Sequence, residues 1–439
     1  MTGNTKRVAF CTFGCRLNQY DTETMRTLLE NEGEFRTVGF REDADIYVVN
    51  TCSVTSRADA SARKTIRRLA ADHPSAQIVV TGCYAQRASE EIAALPGVSV
   101  VLGAADRGRI ASEVRISEVG EGRIAVSPIS EATKFLEVPI TEMMDRSRAF
   151  VKVQEGCNEK CSFCIVPQTR GASRSREPQR VMAQARELIA GGYPEIVLTG
   201  VHVGDYGVDL PAARRLLPEL VEAILKLPGL LRFRLSSIEP STVTDELIDL
   251  MAREPRFARH FHIPFQSGSN DVLARMRRRY TVENFDALID RIRARVPEFG
   301  FGTDVICGFP GETDDDFQAT FDCLARWPVT YLHPFTYSIR PGSEAEGFAD
   351  QVAPDVKKRR VTALKRLARD KAELFRTAHL GQEIDVLMEA TRRAGELIVG
   401  GLTDTYLRVE LPEERTELKG MYRVKITAQT DSALLGELV

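Results

Sequence analysis

Three cysteines on one short loop constrain this chain more than any other feature. Cys157, Cys161 and Cys164 stand in the spacing C-x3-C-x2-C. Three thiolates suit a 4Fe-4S cluster with one iron left open, because a cluster that only transfers electrons takes four cysteines. The alternatives are a structural zinc site or buried thiols that lie close together, but tetrahedral zinc requires a fourth protein ligand and none is evident nearby. The loop therefore predicts a cluster whose open iron binds an exchangeable ligand.

The length and charge of the chain narrow its setting. Its 439 residues predict two or three domains. Lysine and arginine total 59 against 62 acidic residues, so any affinity for RNA has to be local. The N-terminus has no signal-like pattern and no run of about 18 apolar residues occurs, so we expect a cytoplasmic protein without membrane contact. In that reducing compartment, nine cysteines indicate metal ligands or buried thiols rather than disulfides.

Residues 1–107 alternate short apolar runs with helical stretches. The runs at residues 8–11, 46–50, 78–81 and 98–102 indicate a parallel-sheet α/β domain. Cysteines follow three of these runs: Cys15, Cys52 and Cys83. Since parallel strands build their sites beyond their carboxyl ends, we expect these cysteines to meet at one edge of the sheet and to hold a second, auxiliary 4Fe-4S cluster. Each of them could instead be a small apolar residue that ends a strand, as we interpret Cys11 in the core.

A second α/β unit follows a predicted connection at residues 108–148. Strand and helix patterns alternate again over residues 149–375, which predicts a partial (β/α)6 barrel with a trailing basic helix. Barrel enzymes gather their sites at the carboxyl ends of the strands, and the cysteine loop follows the first strand. The six predicted strands lie near Phe150, Ile196, Phe233, His262, Gly302 and Tyr331.

Residues 376–439 form a third unit in our prediction. Short runs separated by glycines at residues 384–388, 397–399, 406–411 and 422–428 predict a small antiparallel β-barrel of the OB-like kind. Such barrels commonly bind RNA. The basic helix that precedes it begins with Lys357, Lys358, Arg359 and Arg360.

The cysteine loop resembles that of the radical S-adenosylmethionine (SAM) enzymes, in which the open iron binds SAM. Almost the whole chain is similar to one family in that superfamily, the methylthiotransferases, which combine an N-terminal three-cysteine domain, a central barrel and a C-terminal TRAM domain. Residues 15–20, 198–207 and 334–338 resemble the branch that modifies N6-threonylcarbamoyladenosine in tRNA. The branch acting on isopentenyladenosine usually has a Gly-Gln-Asn-Val type of sequence where this chain has Gly-Val-His-Val, at residues 200–203.

The resemblance implies a radical reaction that uses two SAM molecules in each turnover. An electron from a donor such as flavodoxin or ferredoxin would cleave SAM at the cluster of Cys157, Cys161 and Cys164. The resulting 5′-deoxyadenosyl radical would take hydrogen from carbon 2 of the adenine, next to the anticodon. The auxiliary cluster would carry the sulfur, which the first SAM methylates before transfer.

Candidate contacts to SAM and substrate follow the barrel strands or the cysteine loop. For SAM these are Phe163, Thr199, Gly200, Ser236, Glu239 and Gly308. Several of them could equally be turn residues. His262 and Gln266 follow the fourth strand and are expected to face the substrate. Arg275, Arg277 and Arg278 are candidate phosphate contacts, although solvated helix faces are often basic as well.

The acidic C-terminal unit keeps other functions open. It contains seven Lys or Arg against eleven Asp or Glu after residue 376, which fits a basic polypeptide better than RNA. This favours, as an alternative, the family branch that methylthiolates an aspartate of a ribosomal protein; isopentenyladenosine in tRNA is another. A non-catalytic iron–sulfur RNA-binding protein is the alternative of a different class, but a pure binder needs no open iron. We expect a monomer that meets the anticodon stem-loop of tRNA.

Overall fold

The first sheet contains six strands, two more than the sequence predicts. The computed structural model describes residues 5–143, 147–211, 214–393, 396–412 and 418–439. The strands are β1 (Lys6–Thr12), β2 (Phe35–Val38), β3 (Ile46–Thr51), β4 (Gln77–Gly82), β5 (Val98–Leu102) and β6 (Arg123–Ala125). They lie in the order β2-β1-β3-β4-β5-β6, and every pairing is parallel. The helices are α1 (Arg16–Glu30), α2 (Ser56–Asp72), α3 (Cys83–Arg87), α4 (Ser89–Ala93) and α5 (Ile110–Ile116).

The two unpredicted strands, β2 and β6, are the edges of this sheet. They are short and only partly buried, so they lack the continuous apolar run that marks β3. Helix α5 and strand β6 come from the stretch interpreted as a connection, and β6 pairs with β5 to extend the first sheet. The predicted parallel-sheet α/β fold is confirmed, and its four predicted strands are β1, β3, β4 and β5.

The central unit is the predicted partial (β/α)6 barrel. Its strands are β7 (Arg148–Glu155), β8 (Arg174–Ser175), β9 (Glu195–Gly200), β10 (Arg232–Leu235), β11 (His260–His262), β12 (Gly300–Cys307) and β13 (Tyr331–Thr336). Two parallel sheets, β7-β9-β10 and β11-β12-β13, are joined by backbone hydrogen bonds from Ala258 to Phe233 and from Ile238 to His262. The short β8 pairs antiparallel with β7. Across the described ranges no strand pairing closes the side between β13 and β8, so six parallel strands form an open barrel.

Eight helices in the described part of the chain surround the barrel and share its core. They are α6 (Val166–Arg170), α7 (Pro178–Ala190), α8 (Leu217–Leu225), α9 (Asp245–Arg253), α10 (Asn270–Arg275), α11 (Val282–Arg295), α12 (Asp314–Arg326) and α13 (Pro354–Thr377). Helices α11 and α12 each begin with a capping box, which satisfies two backbone amides that a helix start leaves free. None of the helices in the described ranges combines the length and the apolar character needed to cross a bilayer.

The basic helix α13 is less open to solvent than its sequence indicates. Arg360 is buried and pairs with Glu312 at 2.5 Å and with Asp314 at 2.7 Å. Lys357 packs over the ring of Tyr337, with Nζ 5.0 Å from the ring centroid. These two cations therefore hold the helix on the barrel, and only the remaining basic residues of α13 are candidates for a phosphate-binding surface.

The C-terminal unit is a closed five-stranded barrel. Its strands are β14 (Glu383–Arg393), β15 (Glu396–Leu402), β16 (Arg408–Glu410), β17 (Gly420–Gln429) and β18 (Leu434–Leu438), closed in the order β14-β15-β16-β18-β17. All pairings are antiparallel except β16 with β18. Val386, Val409 and Val424 are among the apolar residues that fill its interior. The predicted small barrel is confirmed, with one parallel pairing that the sequence pattern does not reveal.

Arginines of the central barrel bind the backbone of the C-terminal barrel. Arg232 donates to the carbonyls of Leu402 and Asp385, at 2.7 and 3.0 Å. The buried Arg234 donates to the carbonyls of Thr403 and Asp404, both at 2.9 Å. These bonds fix the loop between β15 and β16 against the amino ends of the central strands, since Arg232 is the first residue of β10 and Gly300, the first residue of β12, lies against Thr405.

Candidate active site

The cysteine loop follows β7 and aims a hydrogen-bond donor at each of its three sulfurs. The amide two residues after Cys157 and the amide two residues after Cys164 each lie 3.4 Å from the sulfur concerned. Arg278 Nη1 lies 3.2 Å from Sγ of Cys161. Donors of this kind stabilise the negative charge of thiolates bound to a cluster. The loop therefore fits a three-cysteine iron–sulfur cluster.

The surroundings of the loop are buried and tightly turned. Burial raises the pKa of Cys157 and of Cys164 to about 12, so binding of iron to these thiols releases protons. Gly156 has φ 72°, and a Cβ at this position would lie 1.9 Å from the carbonyl oxygen of Ala172. Only glycine fits such a turn, which directs the loop back over the barrel mouth.

Arg278 and Glu239 form an ion pair beside the cysteine loop. The guanidinium carbon of Arg278 also lies 5.0 Å from the ring centroid of Tyr280. Burial alone lowers the pKa of Arg278, but Tyr280, Glu239 and Cys161 hold this pKa well above its usual value. Arg278, which was predicted to contact phosphate, therefore binds the cysteine loop. Glu239, which was predicted to contact SAM, is its ion-pair partner.

A cavity of about 210 Å³ opens beside the cysteine loop. Phe163, Cys164, Ile306 and Tyr337 contribute to its wall. Gln266 lines it with a strained backbone at φ 68° and with a buried Oε1 that has no hydrogen-bond partner in the described part of the protein. A buried amide oxygen without a partner is costly unless a ligand satisfies it. The geometry therefore assigns Phe163 and Gln266 to this smaller cavity, whereas the sequence expectation for Gln266 was the substrate.

Gly308, predicted to contact SAM, does not line either of the two cavities, so that contact stays a prediction. Its amide donates to Glu312 Oε1 at 2.9 Å. A Cβ at this position would lie 2.3 Å from Cγ of Lys357 on α13. The glycine is required for close packing of the turn after β12 against α13, which is why a glycine-rich turn imitates a ligand-binding loop in the sequence.

A larger cavity of about 610 Å³ adjoins the smaller one. The two share Val54, Asp304 and Phe335 in their walls. Because Cys164 lines the smaller cavity while Cys15 and Cys52 line the larger, the two sets of cysteines face adjoining cavities. The predicted residues Thr199, Gly200, Ser236 and His262 all line the larger cavity, and Ser236 Oγ is buried without a partner in the described structure.

The three auxiliary cysteines lie at the carboxyl ends of the adjacent strands β1, β3 and β4. Cys15 is the N-cap of α1 and Cys83 begins α3. Gly14 lets the backbone pass, since a Cβ there would lie 2.6 Å from Cβ of Cys52. Burial and the neighbouring Cys83 raise the pKa of Cys52 to about 12. The predicted convergence at one sheet edge therefore occurs, and the donor set fits a second three-cysteine cluster.

A positive charge supports this second set. Arg170 is fully buried, and although burial lowers it, its pKa is held well above the usual value by Cys83, Asp21, Glu155 and Cys15. Arg170 belongs to a buried network of three cations and two carboxylates. The negative charge of cluster-bound thiolates would balance the excess positive charge of this network. Interior placement also means that Arg170 does not form part of an RNA-binding surface.

A chain of contacting side chains lines the larger cavity, with hydrogen bonds between Tyr331 and two histidines, and it was not predicted from the sequence. Tyr331 Oη lies 2.8 Å from His260 Nε2 and 3.0 Å from His262 Nδ1. His262 Nε2 and His333 Nδ1 each lie 3.1 Å from an oxygen of Asp304. Although burial raises it, the pKa of Asp304 is held well below its usual value by these two histidines. Alternating His260 and His262 on β11, and Tyr331 and His333 on β13, are the only signal that could have revealed the chain.

We expect His260 to make the protein less stable in mild acid. Burial lowers the pKa of His260 well below 6.5, so the folded state binds fewer protons than the unfolded state. Its contribution to stability is full above pH 6.5 and declines as the pH falls toward the folded pKa, at about 1 kcal/mol per pH unit for one proton. Melting temperatures at pH 7.5 and 5.5 should differ less for His260→Asn than for the unmodified protein. An equal acid shift in the variant would contradict this assignment.

The remaining sequence candidates lie outside the cavities. Arg275 donates to the carbonyl of Gly311 at 2.9 Å, and the exposed Arg277 pairs with Glu344 at 2.5 Å. Their positions leave RNA contact as a prediction. Cys307 and Cys323 are buried and line neither cavity, whereas Cys11 is partly exposed rather than in the core.

Comparison with known proteins matches two family models to this architecture. Residues 151–324 match the Radical SAM superfamily, and residues 7–103 match Uncharacterized protein family UPF0004. Among solved structures, the radical S-adenosylmethionine methyltransferase TsrM of Kitasatospora setae is similar with a TM-score of 0.54 and 18% identity, over 76% of this chain and 75% of that one. The fold and the cysteine loop thus define a radical SAM protein.

Relatives that are similar over nearly their whole length identify the family within the radical SAM superfamily. Threonylcarbamoyladenosine tRNA methylthiotransferase MtaB of Bacillus subtilis is 39% identical over 95% of this chain and 93% of its own length. The protein of the same name from Aquifex aeolicus is 35% identical, over 92% and 96%. A tRNA-2-methylthio-N(6)-dimethylallyladenosine synthase of Cereibacter sphaeroides is 34% identical, over 97% of both chains. The chain belongs to the radical SAM methylthiotransferase family, as the sequence motifs predicted.

Proposed function

We propose that this protein is a tRNA methylthiotransferase that adds a methylthio group to carbon 2 of N6-threonylcarbamoyladenosine beside the anticodon. The observation that carries the proposal is that the two cysteine sets face adjoining cavities, since Cys164 lines one cavity and Cys15 and Cys52 line the other. The proposed reaction requires the substrate carbon to lie near both sites, because a radical from SAM would take its hydrogen and the auxiliary cluster would supply the methylthio sulfur that replaces it. The relatives named for threonylcarbamoyladenosine support this branch.

The residues of this chain hold and enclose the reactants. Cys157, Cys161 and Cys164 would hold the cluster that binds SAM, and Cys15, Cys52 and Cys83 the auxiliary cluster. When bound, these groups supply radical generation from SAM and a source of sulfur. Phe163 and the partnerless oxygen of Gln266 suit the adenosine part of SAM in the smaller cavity.

The larger cavity suits a polar adenosine substituent. A threonylcarbamoyl group carries a carboxylate, a hydroxyl and a urea-like linkage, whereas an isopentenyl group is hydrocarbon. Thr199, Ser236, His262, Tyr331 and Asp304 give the cavity wall hydroxyl, imidazole and carboxylate groups. Because covering polar groups such as the partnerless Ser236 Oγ with hydrocarbon costs free energy, this lining favours the threonylcarbamoyl branch over the isopentenyl branch.

The partners follow from the proposed reaction. The C-terminal barrel acts as a TRAM domain that grips the anticodon stem-loop, with the exposed arginines Arg275 and Arg277 as further phosphate contacts. A reducing protein such as flavodoxin or ferredoxin delivers the electron. The enzyme works as a monomer in the cytoplasm, where its tRNA substrate is available. The domain limits proposed for this organisation are residues 1–107, 149–375 and 376–439.

Mass spectrometry of nucleosides tests the proposal. The gene is expressed in a strain that lacks its own methylthiotransferases, and bulk tRNA is digested. We expect a new 2-methylthio derivative of threonylcarbamoyladenosine and no change in isopentenyladenosine. Methylthiolation of isopentenyladenosine instead would assign the chain to the other tRNA branch. Unchanged tRNA from cells with cluster-loaded protein would overturn the proposal and direct attention to aspartates of ribosomal proteins.

A further inference from the structure

Arg16 provides the larger cavity with a cation that has no carboxylate partner among the described residues. It follows Cys15 at the start of α1 and lines the cavity beside Thr199 and Gly200. No other lysine or arginine lines this cavity in the described structure. The arginine of the smaller cavity, Arg340, is paired with Asp59 at 2.8 Å. For Arg16, no acidic group lies within ion-pair distance among the described residues.

The C-terminal barrel fixes the guanidinium of Arg16. Arg16 Nη2 donates to Oη of Tyr406 at 2.7 Å, and its guanidinium carbon lies 5.7 Å from the ring centroid. Tyr406 has φ 72°, an unusual value for a residue with a side chain. Its ring stacks on His260 with centroids 4.6 Å apart and planes at 25°. The loop that Arg234 binds holds Tyr406 in this strained backbone conformation. Backbone strain of this kind is typical of functional sites.

The local charge favours an anionic group next to Arg16. A guanidinium offers a planar fork of donors that matches a carboxylate, and Tyr406 occupies only one of them. Asp304 is the carboxylate of the same cavity, but His262 and His333 both contact it. The two histidines therefore face the negative charge of Asp304, which weakens its repulsion of an anionic ligand in the cavity.

We propose that Arg16 is the specificity-determining residue that binds the carboxylate of the threonylcarbamoyl group, and that Tyr406 positions its guanidinium. This inference rests on the proposed function and adds the recognition chemistry. The C-terminal barrel then has a second role besides RNA contact, since it completes the substrate pocket of the central barrel. A substrate without the carboxylate leaves the Arg16 guanidinium without an anionic partner in the cavity, which disfavours its binding.

A binding ratio isolates this contact. Two anticodon stem-loops are compared, one with threonylcarbamoyladenosine and one with its methyl ester, using anaerobic holoenzyme without reductant and fluorescence anisotropy. We expect the wild type to bind the acid at least about tenfold more tightly than the ester, because a charge-assisted pair is lost. Arg16→Gln should bring the ratio close to one, and Arg16→Lys should reduce it several-fold since the fork is lost. Tyr406→Phe should reduce the ratio partly.

The ratio of affinities for the acid and the ester does not depend on how much of the protein is folded or loaded with cluster. Both ligands meet the same fraction of competent protein, and iron content is measured for each variant because Arg16 adjoins Cys15. Arg291→Gln is the matched control: Arg291 is exposed on α11 and pairs with Asp245 at 2.9 Å, so its loss should leave the wild-type ratio. Full acid preference in Arg16→Gln, or in Arg16→Lys if the first variant fails to fold, overturns the inference.

The two proposals fail in different ways. A wild-type enzyme that methylthiolates the threonylcarbamoyl stem-loop but binds acid and ester equally retains the proposed function and loses the role of Arg16. A wild-type enzyme that modifies only an isopentenyladenosine stem-loop loses both.

Discussion

Cys157→Ala should abolish cleavage of SAM, whereas Cys52→Ala should leave cleavage in place and stop formation of the methylthio product. Cys157 belongs to the loop after β7 that would hold the SAM-binding cluster. Cys52 lies at the edge of the first sheet, with Cys15 and Cys83 as its neighbours. Loss of one of three ligands removes the cluster concerned, since each set has no spare thiolate. Chromatography of 5′-deoxyadenosine from anaerobic reactions with dithionite, together with nucleoside mass spectrometry, measures both steps.

A buried cysteine outside both sets provides the control. Cys323 lies on α12 in the barrel core, and neither cavity includes it. Cys323→Ala should retain cleavage and product formation, with at most a loss of stability. Equal loss of cleavage in the Cys157 and Cys52 variants would contradict the division of labour between the two sets.

The cysteines could be assigned from sequence because their spacing and the strand pattern act together. The C-x3-C-x2-C loop is local, so its geometry depends on few other residues. Cys15, Cys52 and Cys83 are far apart in sequence, but parallel strands bring their carboxyl ends to one edge. The same rule placed Thr199 and Ser236, expected to contact SAM, and His262, expected to face the substrate, at this end of the barrel, and all three line the larger cavity. What a sheet topology brings together can therefore be inferred from alternating apolar runs.

The rest of the site depends on contacts between units that no local pattern encodes. Tyr406 reaches the cavity from the C-terminal barrel, about 390 residues beyond Arg16 in the chain, and its position depends on how that barrel docks. Arg278 appears in a run of four arginines that reads as a basic surface, yet its side chain turns inward to Cys161 and Glu239. Gly308 resembles a ligand-binding turn but is required for helix packing. In each case the neighbour that decides the role lies on a different element.

Asp21→Asn should destabilise the joint between the first sheet and the barrel by about 3–5 kcal/mol. The Asp21 carboxylate, on α1, lies 3.0 Å from Arg107, 2.6 Å from Lys152 and 3.0 Å from Arg170. Glu155 is the other anion of this buried network and contacts the same three cations at 2.8 to 3.1 Å. Neutralising Asp21 leaves three buried cations with one carboxylate. Chemical denaturation of the apoprotein at pH 7 measures the loss.

The pH dependence of this loss follows from the depressed pKa of Asp21. Although burial raises it, Arg107, Lys152 and Arg170 hold the pKa of Asp21 below 3.8. The carboxylate therefore contributes its full stabilisation above pH 3.8 and loses it as the pH falls toward the folded value. The difference between wild type and Asp21→Asn should accordingly be constant from pH 7 to 5 and shrink only in stronger acid.

An exposed ion pair gives the matched control, and cluster loading gives a functional consequence. Asp355 pairs with Arg359 at 3.0 Å with both side chains 70% exposed, so Asp355→Asn should change stability by no more than about 1 kcal/mol. In the Asp21 variant, Arg170 loses a partner next to Cys15 and Cys83, and the auxiliary set should bind less iron than the SAM-binding set. If Asp21→Asn is as stable as Asp355→Asn and loads both clusters fully, the buried network does not join the two units in the way that its geometry indicates.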